Sequence, residues 1–125
     1  MEQLEKIISE YITAYNNFDI EAMTAHMHPE IVFENISSGG MSARTVGLEQ
    51  FKQLACKSMH LFHERNQQVT GINISGDTAE VDLVYTAVLA FDLSDELPAN
   101  EQIHLKGRSV FRFKEGRIIE LKDIS

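Results

Sequence analysis

The feature that most constrains this chain is a change of hydrophobic period near residue 64. Before it, Leu4, Ile7, Ile8, Tyr11, Ile12, Tyr15 and Phe18 recur at spacings of three and four, which gathers them on one face of a helix over residues 2–17. After it, apolar residues alternate with polar ones, the period of a strand. A chain of 125 residues has room for one apolar core, so both halves must share it.

The punctuation between these runs divides the chain further. Asp19 offers a side-chain oxygen to the free backbone groups of a second helix, with Met23 and Met27 four apart on it and Pro29 at its end. Glu30 to Ile36 alternates as a short strand; Ser37 to Val46, with Gly39 and Gly40, reads as an irregular connection. Gly47 opens a third helix whose buried stripe is Leu48, Phe51, Leu54, Ala55 and Met59. Ser75-Gly76-Asp77-Thr78 is a hairpin signal joining a strand that ends at Ile74 to one running from Ala79 to Phe91. Asp92 to Asn100, with Pro98, is the next connection, followed by a strand over 101–114, a turn at Glu115-Gly116 and a last strand over 117–124. The expected fold is α+β over a single domain, 1–125. Three N-terminal helices pack on a curved mixed, mostly antiparallel sheet in a cystatin-like cone, open at one end.

Charge and cysteine content narrow the functions. Nineteen acidic residues against eleven basic ones give a net charge of -8, which repels nucleic acid and anionic membranes, and no basic cluster offsets it. No run approaches the roughly 20 apolar residues of a membrane span. The amino terminus lacks the pattern of a signal peptide, and the one cysteine, Cys56, has no internal partner, so a cytoplasmic location is expected. No cofactor is expected.

The local signatures then supply a resemblance. "YNNFDIEAMTAHMHPEIVFEN", "VGLEQFKQL", "ISGDTAEVDLVY" and "GRSVFRFKEGRIIELKDIS" resemble, in this order, segments of the nuclear transport factor 2-like superfamily, which includes ketosteroid isomerases, SnoaL-like polyketide cyclases and limonene epoxide hydrolases. The resemblance implies a pocket between the helices and the sheet, and dimers formed through the outer sheet face. It places Asn35 where the isomerases carry their general base, Tyr11 at their oxyanion-binding tyrosine with Tyr15 one turn later, and Ser109 near their neutral acid. An amide lacks the basicity for proton transfer, so steroid isomerase chemistry is disfavoured. For the epoxide hydrolases, Asp82 and Asp123 stand where the acids would be, but Glu80 occupies the arginine position. The SnoaL-like pattern demands less and fits.

His26 and His28 suggest a metal, yet residues two apart on a helix point about 200° apart, so the frayed end of helix two before Pro29 is the simpler reading. His60 and His63 are better spaced, with only Glu64 nearby, and His63 reads as a polar group at a cavity mouth; no metal site is assigned. Asn35, Ser109 and Asp123 each interrupt an apolar strand face: Ile31, Phe33 and Asn35; Leu105, Gly107, Ser109, Phe111 and Phe113; Ile119, Leu121 and Asp123. Buried polar groups without partners cost a few kcal/mol, so these three should bond one another or meet a ligand. The candidate pocket comprises Tyr11, Tyr15, Phe18, Met27, Phe33, Asn35, Phe51, Leu54, Met59, His63, Ser109, Phe111, Leu121 and Asp123. Asp123 is the proton-transfer candidate, and equally reads as an exposed strand-end residue; Tyr15 and Asn35 are the candidate donors to a ligand oxygen, with core packing the alternative reading for Tyr11 and Tyr15.

Strand 79–91 raises a last point: Val81, Leu83, Tyr85, Ala87 and Leu89 form one apolar face, while Val84, Thr86, Val88 and Ala90 form another. Helices cover only one face of such a sheet, so a second copy of the chain is expected on the other, the period leaving open which is which. The expected function is binding of a small, largely apolar carbonyl compound, as an isomerase- or cyclase-type enzyme or as a non-catalytic binding or association module.

Overall fold

A computed structural model describes residues 2–37, 40–91 and 99–125. Its elements run α1 (Glu2–Asn16), α2 (Ile20–Thr24), β1 (Met27–Ser37), β2 (Gly40–Val46), α3 (Leu48–Met59), β3 (Phe62–Ser75), β4 (Thr78–Leu89), β5 (Gln102–Lys114) and β6 (Arg117–Ile124). The six strands form one sheet in the order β2-β1-β6-β5-β4-β3, in which only the β1–β6 pair is parallel. The three helices and mixed sheet make the expected α+β fold.

Both hairpins follow from their turn residues. Ser75 pairs with Thr78 across a turn in which Gly76 takes φ +60°, and Lys114 pairs with Arg117 across Glu115 and Gly116, both at positive φ. Asp19 caps α2 by accepting from the Ala22 amide at 3.1 Å. The connection read from Asp92 to Asn100 lies largely outside the described residues.

Three expectations are corrected. Helix α2 ends at Thr24, one turn after it begins, because His26 to Pro29 are drawn into the sheet: Met27 pairs with Ile118, and the Ile118 amide donates to the His26 carbonyl. His28 therefore lies in β1, and His26 in the turn between the α2 cap at Ala25 and the strand. The segment read as an irregular connection contains β2, which pairs antiparallel with β1 from Val32–Val46 to Ser37–Gly40. On β6 the inward residue is Ile118 in place of Ile119, because a bulge sets Phe113 opposite Ile118 and Arg112 opposite Glu120, leaving Ile119 between them.

The core forms where α1 lies across the sheet. Ile8 from α1, Ile31 from β1, Val81 from β4, Phe111 from β5 and Ile118 and Leu121 from β6 are fully enclosed. Tyr11 meets Phe111 edge to face with centroids 5.7 Å apart, and Phe33 meets Phe51 likewise at 5.4 Å. The inner face of β4 is thereby identified: Val81, Leu83, Ala87 and Leu89 are buried with Tyr85 among them, and Val84, Thr86 and Val88 point outward.

Candidate functional site

The polar interruptions converge. Asp123 on β6 stands opposite Asn35 on β1 and Ser109 on β5, so the three form one rung across adjacent strands. The Ser109 hydroxyl donates to the Asp123 carboxylate at 2.6 Å. Asn35 makes no side-chain hydrogen bond among the described residues, which leaves its amide open to the cavity.

That cavity, about 300 Å³, is lined by Tyr15, Asn35, Gln67, Tyr85, Ser109 and Asp123, by Ser58, Ser125 and the cationic residues Lys106 and Arg108 of β5, and by Leu61, Phe62, Leu83 and Leu105 as apolar wall. Its size and its placed polar groups suit a small organic ligand. The floor of the cavity is set by side-chain size along β5: Phe113 and Phe111 fill the core, Ser109 shortens the side chain, and Gly107 removes it. A Cβ at Gly107 would lie 2.9 Å from the Ile124 carbonyl oxygen, so this close passage of the chain end over β5 requires glycine.

Asp123 owes its electrostatics to this setting. Enclosure raises its carboxyl from 3.8 to about 6, with the Ser109 hydrogen bond acting the other way. The acid thus exchanges a proton near neutrality. Across the cavity the Tyr15 hydroxyl donates to that of Tyr85 at 3.3 Å, long for such a bond. Burial holds both phenols above their usual range, Tyr15 the more so; Tyr85, as acceptor, is held back by the bond. Tyr85 consequently has the proton left to offer a ligand oxygen.

Of the residues named from sequence, Tyr15, Asn35, Ser109 and Asp123 line the cavity. Tyr11, Met27, Phe33, Phe51, Phe111 and Leu121 are buried in the core, with Leu54 packed against it. Met59 closes α3 beside the cavity residue Ser58. Phe18 and His63 border a second, more polar cleft with Asn16, Glu64 and Arg65. Asp82 and Glu80 lie on the outer face, paired with Arg108 at 3.0 and 3.8 Å, so the acid set of an epoxide hydrolase is not assembled. His26 accepts or donates at 2.6 Å to Glu10, and His28 Nδ1 accepts from the Glu30 amide; among the described residues no three metal-ligating side chains converge. Tyr85 and Gln67 were missed as site residues, although alternation alone puts Tyr85 on a face with Leu83 and Ala87.

The comparisons agree with this geometry. A nuclear transport factor 2-like protein of unknown function from Burkholderia pseudomallei superposes with TM-score 0.79 at 15% identity, over 98% of this chain and 90% of that one. A proposed polyketide cyclase from Xanthomonas campestris pv. campestris gives 0.76 at 18%, over 99% and 90%. An LEH-like epoxide hydrolase from M. tuberculosis gives 0.77 at 15%, over 98% and 82%. At such identities the likeness shows the fold. A comparison with curated proteins gave no match. The sequence profile of the SnoaL-like domain matches residues 8–121, nearly the whole chain, and the protein belongs to the SnoaL-like domain family.

Proposed function

We propose that the cavity carries out proton transfer on a small carbonyl compound, as an isomerase or a cyclase would. The observation that carries this reading is Asp123: a half-buried carboxyl that lines the cavity, is raised to about 6 by desolvation and accepts from Ser109. As carboxylate it takes a proton from the carbon beside a carbonyl; the C–H electron pair moves onto the oxygen, which accepts from Tyr85 and Asn35. Returning the proton to another carbon is isomerisation. Attack of the enolate carbon on a second carbonyl, with the proton passed to the new alkoxide, is cyclisation. Such general acid–base catalysis contributes about 10²–10⁴ in rate.

Hydrogen–deuterium exchange beside the carbonyl of small ketones such as cyclohexanone, followed by NMR, tests it. Wild type should accelerate exchange and Asp123→Asn should not; equal exchange in both would remove the enzyme reading. The specific observation that favours a non-catalytic binding module is Asn35, an amide at the position where the resemblance implies a base. We also propose that two copies pair through the outer sheet face, where the half-buried Val84, Val88 and Val110 lie among cross-strand ion pairs. Sedimentation of the wild type as a monomer at micromolar concentration would exclude it.

A further inference from the structure

Behind the tyrosine pair lies a buried cation that the proton-transfer reading does not use. Arg65, on the inner face of β3, is only 5% exposed, yet it forms no ion pair among the described residues. Its Nε donates to the Tyr15 carbonyl at 2.8 Å, at the end of α1 where the helix dipole is negative, and Nη2 approaches the Met23 sulfur at 3.9 Å. Its guanidinium lies over the Tyr15 ring, 3.7 Å from the centroid, with the Phe18 ring 4.5 Å away on it too. A buried charge with so few donors satisfied is costly unless something uses it.

The surrounding chain is built to keep it there. After α1 the Phe18 amide bonds the Tyr15 carbonyl and the Asp19 amide bonds the Ala14 carbonyl, with Phe18 at φ +57°. That is a helix ending that favours glycine, and a bulky residue there is strained. The ring that this residue brings is the one over Arg65. Asn16 meanwhile bonds both backbone groups of Gln67, at 2.7 and 3.2 Å, locking the end of α1 to β3.

We infer that Arg65 is a positioning residue that polarises the Tyr15–Tyr85 pair toward an anionic oxygen, so that the cavity selects enols, phenols and β-dicarbonyl compounds over simple ketones. The inference rests on the cavity being the small-molecule site. Charge runs in one line: the cation over the Tyr15 ring, the Tyr15 hydroxyl donating to Tyr85, and the Tyr85 proton left for the ligand. Each link strengthens the next. The cation favours the ionised form of Tyr11, Tyr15 and Tyr85, and Asp123, facing them from β6, opposes it at Tyr11 and Tyr85. Protonation of Asp123 relieves that opposition.

Binding of 4-methylphenol, 4-chlorophenol and 4-nitrophenol to the full chain tests this, with calorimetry for affinity and absorbance for ionisation of the bound nitrophenol. At about pH 5, below the Asp123 midpoint of about 6, the repelling charge is absent. Affinity should rise about tenfold across the series, and bound nitrophenol should ionise at lower pH than free. Arg65→Met should abolish both trends and Arg65→Lys should keep part of them. A folded Arg65→Met protein with the wild-type trend, or a wild type that binds none of the phenols, overturns the inference. Should Arg65→Met fail to fold, Tyr85→Phe decides: loss of the trend supports the chain of donors and an unchanged trend overturns it. Catalysed exchange of cyclohexanone with no preference for acidic phenols would leave proton transfer standing and remove Arg65 alone.

Discussion

The two ends of the sheet's inner face are made from the same strands and do opposite things. At the closed end Phe113 and Phe111 of β5, Ile118 and Leu121 of β6 and Ile31 of β1 exclude water under α1. Two residues beyond Phe111, Leu121 and the core residue Phe33 of β1, Ser109, Asp123 and Asn35 face a cavity, and Leu105 at its rim is 47% exposed. Alternation is unbroken across the boundary; only side-chain size and polarity change. The core fixes the direction of each side chain, and the site inherits those directions without needing apolar packing of its own.

That contrast can be broken most severely from the closed end. Phe111→Ala should cost about 3–5 kcal/mol of stability, measured by urea denaturation, because it leaves a cavity among residues that cannot collapse. Asp123→Asn should do the reverse. The carboxyl is raised above its ordinary value in the fold, so the native state binds more protons than the unfolded one between about pH 4 and 6, and stability falls as pH rises through that window. Removing the group should therefore stabilise the protein at neutral pH by about 2 kcal/mol, with little gain at pH 4. A loss of stability at neutral pH would mean that the carboxylate is well solvated.

Gly107→Ala probes the boundary itself. It drives a methyl group into the Ile124 carbonyl and should cost about 1–2 kcal/mol, displacing Asp123 and weakening ligand binding along with stability. The smallest effect is expected on β2, where Thr45 pairs with the core residue Phe33. The Thr45 hydroxyl is buried and has no partner among the described residues, and Thr45→Val should raise stability by about 1 kcal/mol in the same denaturation assay.

Much of the fold was legible because its signals are local and strong. The α1 stripe, the Asp19 cap, the two hairpin turns and strand β6 lie where the sequence places them. The rung of Asn35, Ser109 and Asp123 was legible for the same reason: each breaks an apolar alternation that the core otherwise enforces. What escaped depends on partners distant in sequence. Strand β2, Gly40–Val46, has little apolar alternation and becomes a strand by pairing with β1. His26 to Pro29 have a helix on one side and a proline within, and parallel pairing with β6 decides their conformation. Arg65 sits in the polar run His63 to Gln68, which looks solvated; its burial comes from α1 crossing β3.

Asp123 lines the cavity with its carboxyl raised to about 6 by desolvation. A carbon-detected NMR titration of its carboxyl, repeated with 4-nitrophenol bound, tests this most directly. The account predicts a midpoint near 6 that moves when the cavity is filled. A midpoint in the ordinary aspartate range, indifferent to the ligand, would contradict it.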